Sequence, residues 1–224
     1  MSPAMETGDT AMGHVVLLGD SIFDNAAYVR GGPDVVAQLR EALPEGWRAT
    51  LEAVDGAVAD EVEGQLRRLP ADATFLVVSA GGNDALGHVD ILEARAASMA
   101  EALDRLAGIA ESFERRYLAM LRAVLEVGLP TAVCTIYHGN FPDPTTQRLT
   151  GTALTVFNDV ILRAAFAAKL PVLELRRICD EPADYANPIE PSVRGGGKIA
   201  RAIARLVAEH AGGPARKHAE VRVG

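Results

Sequence analysis

The sequence predicts a three-layer α/β/α sandwich built on a five-stranded parallel sheet. Short apolar, β-branched runs alternate with longer amphipathic segments along nearly the whole 224-residue chain. These runs lack the strict polar–apolar alternation of a sheet with one solvated face, so helices are expected to cover both faces. The length suits one domain, predicted to span residues 13–211, with residues 1–12 and 212–224 as flexible termini.

Each apolar run ends in glycine or polar residues and is followed by a helical pattern. The predicted strands, in chain order, are HVVLLGD, WRATLEAV, ATFLVVSA, LPTAVCTIYH and LPVLELRRI. The predicted helices are PDVVAQLREAL, VADEVEGQLRRL, one or two helices within 91–127, a helix over 149–169, and GGGKIARAIARLVAEHA. Within 91–127, Gly108 is the residue most able to interrupt a helix. Right-handed crossovers bring the carboxyl ends of parallel strands to one edge, where a site is expected.

The composition excludes several classes of protein. A net charge of −8 argues against a general nucleic-acid binder, which needs a basic face. Apolar runs stay well below the roughly 18 residues of a membrane span, and the first residues lack a signal-peptide pattern, so no membrane partner is expected. Cys134 and Cys179 are expected as reduced, buried thiols. We therefore expect a cytoplasmic protein of undetermined oligomeric state, with no metal and no cofactor.

The residues after the predicted strands carry hydrogen-bonding side chains. Ser21 in GDSIFDN either caps the next helix or projects its hydroxyl into a cleft as a nucleophile. Asn83 in GGND either forms a turn or donates its side-chain amide to a developing oxyanion. Gly56, after the second strand, would offer a backbone N–H to the same oxygen.

These blocks, taken together and in this order, resemble the SGNH (GDSL) hydrolase family. The nucleophile elbow Gly-x-Ser-x-Gly is absent, which separates the chain from the α/β-hydrolases. The resemblance implies a flavodoxin-like strand order and an esterase, lipase or acylhydrolase that needs no metal. We expect the substrate to be a small-molecule ester and favour small acyl groups. It also implies that Ser21 is the nucleophile and that the Ser21 and Gly56 amides and the Asn83 side chain form the oxyanion hole. Asp20 and Asp84 resemble family positions that brace the turns.

The chain departs from the family at the fourth block. The family has Asp-x-x-His there, whereas this chain has Asn187-Pro-Ile-Glu190. Three interpretations stay open. Glu190 replaces the histidine as base, with the Asn187 amide donating to its carboxylate; His138, after the fourth strand, is the base; or the protein is a catalytically weak or silent member that binds an acyl or glycan ligand.

Overall fold

The computed structural model describes residues 13–211 and 221–222, which form one parallel sheet with helices on both faces. The strands are β1 (Gly13–Gly19), β2 (Trp47–Leu51), β3 (Phe75–Ser79), β4 (Thr131–Cys134), β5 (Val172–Leu173) and β6 (Val221–Arg222). Their order is β2-β1-β3-β4-β5-β6, and every pairing is parallel. The five predicted strands and the flavodoxin-like order are therefore confirmed.

The helices form the two outer layers. They are α1 (Val35–Ala42), α2 (Val62–Leu66), α3 (Gly82–Leu86), α4 (Met99–Glu126), α5 (Pro144–Ala168), α6 (Leu175–Ile178) and α7 (Val193–Ala211), with 3-10 turns at Ala59–Glu61, Val89–Leu92 and Pro182–Asp184. Buried side chains of α1 and α7 pack on one face of the sheet, and those of α4 and α5 pack on the other. The predicted three-layer sandwich is confirmed.

Three features of the elements differ from the sequence prediction. Gly108 does not interrupt α4, because it lies on an exposed face where glycine costs a helix only about 1 kcal/mol. The fifth predicted strand stops early, since the Glu174 side chain accepts a hydrogen bond from the Arg176 N–H and caps α6. Helix α5 begins at Pro144, before the predicted residue 149, because Asp143 caps it by accepting from the Thr146 N–H at 2.7 Å.

Most of the predicted flexible termini lie outside the described residues. Within 212–224, however, Val221–Arg222 forms the short strand β6, which pairs with β5. The prediction omitted this strand because two residues carry no readable periodicity. The sheet that the described residues form therefore has six strands rather than five.

Within the described residues, α5 is long and apolar enough to cross a membrane by length and composition alone. This is weak evidence, because a helix in the core of a soluble protein meets the same criterion. One third of its most apolar window is buried, and Phe157, Ile161 and Ala165 belong to the core between α4 and the sheet.

Two buried amides fix the exits of β1 and β4, where the site lies. The Gln65 side chain accepts from the Gly19 N–H and donates to the Gly19 carbonyl, both at 2.7 Å. Asn158 does the same for Ile136, at 2.7 and 2.8 Å. Gly19 has φ +121°, and a Cβ there would lie 1.6 Å from the Ser79 carbonyl oxygen, so glycine is required. The backbone that presents the next residues is thereby held in one conformation.

Candidate active site

Ser21 and Glu190 are brought together although they are far apart in sequence. The Ser21 Oγ donates a hydrogen bond to Glu190 Oε1 at 3.1 Å, and both side chains are buried. Ser21 caps no helix, because the next helix, α1, is capped by Asp34. Its hydroxyl is therefore directed at a carboxylate, as a nucleophile–base pair requires.

The environment of Glu190 changes the basicity of its carboxylate. The residue is only 5% exposed, and burial raises its pKa to about 7. The hydrogen bond from Ser21 lowers the pKa, and the negative charge of Asp55 raises it again. Within the described residues, Glu190 Oε2 accepts no hydrogen bond. A carboxylate with a pKa near 7 is matched to general base catalysis at neutral pH, unlike an ordinary glutamate.

The loop that carries Glu190 is held by an unbroken series of hydrogen bonds. Each of the four carbonyl groups of residues 188–191 accepts a hydrogen bond from a different residue. The donors, in order, are the Asn140 N–H, the Tyr137 hydroxyl, the Ala186 N–H and the Asn25 side-chain amide, at 2.8, 2.6, 2.9 and 3.1 Å. Such a loop presents its side chain with little freedom.

Asn187 does not hold the Glu190 carboxylate, so the predicted amide-to-carboxylate bond is wrong. Its Oδ1 instead accepts from the backbone N–H groups of Ile189 and Glu190, both at 2.9 Å. An asparagine at the start of a turn commonly bonds its own backbone two or three residues on. Asn187 therefore shapes the loop rather than orienting the base.

The predicted oxyanion donors lie at the exits of β2 and β3. Asn83 stands in the first turn of α3, lines the same pocket as Ser21, and donates one amide hydrogen to the Ala57 carbonyl at 3.0 Å. Gly56 has φ +81°, a left-handed conformation that places it in a tight turn beside Ala57. The Asn83 side chain is thus anchored on the same turn as Gly56.

Asp20 and Asp84 both act on backbone close to the site. Asp20 Oδ1 accepts from the Ile22 N–H at 3.2 Å, and burial raises the Asp20 pKa to about 7. Asp84 Oδ2 accepts from the Ala59 N–H at 3.0 Å, while its Oδ1 lies 3.0 Å from Arg116 Nη1. Asp20 thus braces the turn that carries Ser21, and Asp84 ties the exit of β2 to that of β3.

His138 lies in the pocket wall at the exit of β4. The described hydrogen bond of the Ser21 hydroxyl goes to Glu190 and not to this imidazole. Burial, followed by the positive charge of Arg176, lowers the His138 pKa from its ordinary value. A neutral imidazole in this position is suited to contacting a substrate.

The sequence analysis missed Asn25, Gln65, Tyr137 and Asn158, which hold the site backbone. All four side chains are buried, and each bonds a backbone group at a strand exit or in the Glu190 loop. For Gln65 and Asn158 the available signal was a polar residue among the apolar positions of a helix. Such a residue needs a buried partner.

A pocket opens beside Ser21, and its lining is mostly apolar. Ser21, Asn83, His138 and Glu190 stand in its wall, and its cavity volume is about 110 Å³. Beyond these polar groups, the lining includes Leu92, Leu106, Ile109, Ile136, Leu154 and Phe157. A concave apolar site with a few convergent polar groups is typical of an enzyme that binds a small molecule.

The sequence profile of the GDSL-like lipase/acylhydrolase family matches residues 17–195, which include the Ser21, Asn83 and Glu190 positions. The chain therefore belongs to this family of hydrolases, whose substrates are esters or lipids. No curated protein sequence matches the chain.

Solved structures of lipases and esterases share the fold. The extracellular lipase of Streptomyces rimosus aligns with a TM-score of 0.62 at 16% identity, covering 89% of this chain and 99% of the lipase. The lipase Lip_vut3 from a goat rumen metagenome aligns with a TM-score of 0.67 at 19% identity, covering 90% and 98%. Est24, a carbohydrate acetylesterase of Sinorhizobium meliloti, aligns with a TM-score of 0.57 at 14% identity, covering 88% and 99%. At such identities the likeness concerns the fold alone.

Proposed function

We propose that the protein hydrolyses carboxylic esters by a covalent mechanism, with Ser21 as nucleophile and Glu190 as general base. The observation that supports this proposal most directly is the 3.1 Å hydrogen bond from the Ser21 hydroxyl to the Glu190 carboxylate. The Glu190 pKa of about 7 supports it further, because the carboxylate is then basic enough to take a serine proton.

In the proposed mechanism, the Ser21 Oγ attacks the ester carbonyl carbon while Glu190 takes its proton. The tetrahedral intermediate collapses, the bond to the alcohol oxygen breaks, and protonated Glu190 gives its proton to the leaving alcohol. Glu190 then takes a proton from a water molecule that attacks the acyl-serine. The carboxylic acid leaves, and the proton returns to Ser21.

Charge on the carbonyl oxygen would be stabilised by the backbone amides of Ser21 and Gly56 and by the Asn83 side chain. Asn83 uses one amide hydrogen on the Ala57 carbonyl, and an amide group has a second one to donate. Because the first bond fixes the amide plane, the second hydrogen is directed without further ordering.

Two alternatives carry over from the sequence. His138 as base requires the hydroxyl to leave Glu190, and a silent member binding an acyl or glycan ligand requires the Ser21–Glu190 pair to be inert. We favour Glu190, since the hydroxyl already bonds it.

The location and the acyl preference stay predictions. We keep the proposed cytoplasmic location, with which the free, buried thiols of Cys134 and Cys179 are compatible. The preference for small acyl groups is a prediction that the acyl series described below measures.

The test is hydrolysis of p-nitrophenyl butyrate by the wild type, Ser21→Ala, Glu190→Gln and His138→Ala. We expect losses of kcat of at least about 1000-fold for the first two variants, and a change within about 10-fold for His138→Ala. In the wild type, kcat/KM should rise with pH through about 7, because the base must be ionised and its pKa is about 7. A His138 base would place this rise below pH 6.5, since the His138 pKa is lowered from that value.

Three results would contradict the proposal. An active Ser21→Ala variant excludes the covalent mechanism. An active Glu190→Gln variant together with an inactive His138→Ala variant assigns the base to His138. If the wild type hydrolyses no ester across an acyl series from acetate to palmitate, the binding-protein alternative replaces the enzyme.

A further inference from the structure

We propose that Thr50 is a second nucleophile of this protein, activated by His14, which accepts a small acyl group from an acyl phosphate. Thr50, His14 and Asp72 form a hydrogen-bonded triad, and His14 lies at the start of β1, whereas Ser21 follows the end of that strand. No residue of the Ser21 site takes part, so the two reactions can be tested separately.

The three side chains of the triad are far apart in sequence but form one continuous series of hydrogen bonds. Asp72 Oδ1 lies 3.1 Å from His14 Nδ1, and the opposite ring nitrogen, His14 Nε2, lies 2.7 Å from Thr50 Oγ1. A carboxylate, an imidazole and a hydroxyl stand in the same order in hydrolases that use an activated hydroxyl as nucleophile. Such a triad is recognised by its geometry and by the roles of its members, not by sequence position.

The positions of the protons follow from the chemistry of the three groups. The Asp72 carboxylate only accepts hydrogen bonds, so the facing Nδ1 of His14 carries the hydrogen and donates it. In a neutral imidazole Nε2 then carries no hydrogen and accepts from the Thr50 hydroxyl. Burial, followed by the positive charge of Arg48, lowers the His14 pKa from its ordinary value, which keeps the ring neutral at pH 7. The Thr50 hydroxyl therefore faces a base that can take its proton.

The sheet holds the triad in place. Strands β1 and β2 pair in parallel, with His14 opposite Arg48 and Val16 opposite Thr50, so these residues share one face of the sheet. Thr74 fixes the backbone of His14, because its hydroxyl oxygen accepts from the His14 N–H at 2.7 Å and its hydroxyl donates to the His14 carbonyl at 3.3 Å. A group carried by strands is held more precisely than one carried by a loop.

The triad lies where solvent can reach it and where a cation stands close by. Among the described residues, β2 is the edge strand of the sheet, Thr50 is half-buried, and the Asp72 side chain is 57% exposed. Arg48 contacts Asp72 through one nitrogen of its guanidinium, a group with five N–H donors. Guanidinium groups bind phosphate oxygens well, so the Arg48 charge favours an acyl donor whose leaving group is phosphate.

The proposed step transfers the acyl group to the threonine oxygen. Thr50 Oγ1 attacks the carbonyl carbon of the acyl phosphate while its proton moves to His14 Nε2, and the Asp72 carboxylate stabilises the imidazolium. The bond between the acyl carbon and the phosphate oxygen breaks, and phosphate leaves. The proton then passes from His14 to the phosphate, so that the product is an ester of Thr50.

The experiment treats Ser21→Ala with acetyl phosphate at pH 7 and follows the acetylation of individual threonines by peptide mass spectrometry. The substitution removes Ser21 as a competing nucleophile. Thr152 is the internal control, because it is exposed and its hydroxyl bonds the Arg148 carbonyl rather than a base. We expect Thr50 to be acetylated roughly 100-fold faster than Thr152, which is within the usual contribution of a general base.

Substitutions of the other two triad members distinguish an activated hydroxyl from one that is merely accessible. In Ser21→Ala/His14→Gln a hydrogen-bonding side chain remains but the base is lost, so Thr50 acetylation should fall to the Thr152 rate. Ser21→Ala/Asp72→Asn removes the carboxylate that orients the ring and should slow Thr50 acetylation at least about 10-fold. Asp72 is more than half exposed, so this variant serves even if His14→Gln does not fold.

A third variant tests the class of donor. Ser21→Ala/Arg48→Gln should slow the acetylation of Thr50 by acetyl phosphate about 10-fold more than its acetylation by p-nitrophenyl acetate, which carries no phosphate. An equal effect on the two reagents overturns the assignment of an acyl phosphate. Equal rates at Thr50 and Thr152 in Ser21→Ala, or an unchanged Thr50 rate in either triad variant, overturn the second nucleophile. Neither result bears on Ser21, whose role is tested by ester hydrolysis.

Discussion

The two sides of the cleft around Ser21 are built in opposite ways. On one side, residues 187–192 carry Glu190, and all four carbonyl groups of residues 188–191 are hydrogen-bonded. On the other, none of residues 85–112 is buried, and the pocket surface is formed by half-exposed apolar side chains. The conformation of the first side is fixed by directional hydrogen bonds, whereas the second side presents apolar side chains that are only partly buried.

This difference matches what each side is proposed to do. Proton transfer between Ser21 and Glu190 requires the two oxygens to stay within hydrogen-bond reach, so a shift of about 1 Å matters. Contact between the apolar lining and a substrate has no directional requirement and depends on the apolar area that is removed from water. If the proposed mechanism holds, the reacting groups lie on the hydrogen-bonded side, and substitutions on the two sides should therefore have different effects.

The largest expected effect on stability comes from the charge on the ordered side. Glu190 has a folded-state pKa of about 7 and an ordinary value of 4.5, so the folded protein binds the proton more tightly than the unfolded chain. The free energy of unfolding therefore falls as pH rises from about 4.5 to 7 and loses nothing further from this group above that range. The uncharged Glu190→Gln variant should be more stable than wild type by up to about 3 kcal/mol at pH 8 and equal to it at pH 4.

Urea denaturation at both pH values measures this difference. Ser21→Ala is the control, because it keeps the carboxylate. If Glu190→Gln is less stable than wild type at pH 8, the buried charge of Glu190 does not lower the free energy of unfolding.

A smaller loss is expected where the ordered side is anchored. Asn25 is fully buried, donates to the Pro191 carbonyl and accepts from the Val35 N–H, so Asn25→Ala leaves two buried backbone groups unpaired. We expect a loss of about 2 kcal/mol in stability and of about 10-fold in kcat with KM little changed. Tyr137→Phe removes only the hydroxyl bond to the Ile189 carbonyl and should lose about 1 kcal/mol. A normal kcat in a destabilised Asn25→Ala variant would show that the loop does not need this anchor to place Glu190.

The smallest effect is expected among residues 85–112, on the other side of the cleft. Leu103 is 59% exposed on α4, so Leu103→Ser should change the free energy of unfolding by less than about 0.5 kcal/mol. Thermal unfolding of this variant beside Leu121→Ser, a change in the buried part of the same helix, provides the comparison. A loss in Leu103→Ser approaching that of the buried variant would mean that residues 85–112 are packed more firmly than their exposure indicates.

The sequence was sufficient to predict the layers and the position of Ser21, because hydrophobic period and the polar strand exits are local signals. The strand order was implied only by the resemblance to the SGNH family. Glu190 was placed by the spacing of the fourth block, and its contact with Ser21 follows from the sheet order. The prediction for Asn187 was wrong. The sequence allowed its amide to donate to the Glu190 carboxylate, but in the structure its side-chain oxygen accepts hydrogen bonds from the backbone of its own turn.

Other features depend on contacts that no single segment encodes. Asn25 and Gln65 act on backbone 166 and 46 residues away, respectively, so their partners cannot be read from neighbouring residues. The pKa of Glu190 reflects burial by several elements, which only the assembled fold defines. The strand β6 is two residues long and is recognisable only by its pairing.

A carboxylate in place of an imidazole also alters how charge is distributed during turnover. When a histidine base takes the serine proton, it becomes a cation beside the anionic intermediate. In the proposed mechanism Glu190 takes that proton and becomes neutral, so the centre would hold one negative charge before the attack and one afterwards, moved from the base to the substrate oxygen. No counter-ion forms to attract that oxygen, and stabilisation falls to the amide dipoles around Asn83 and Gly56. Esters whose own groups carry negative charge near the carbonyl should therefore be poor substrates, and added salt should improve their turnover.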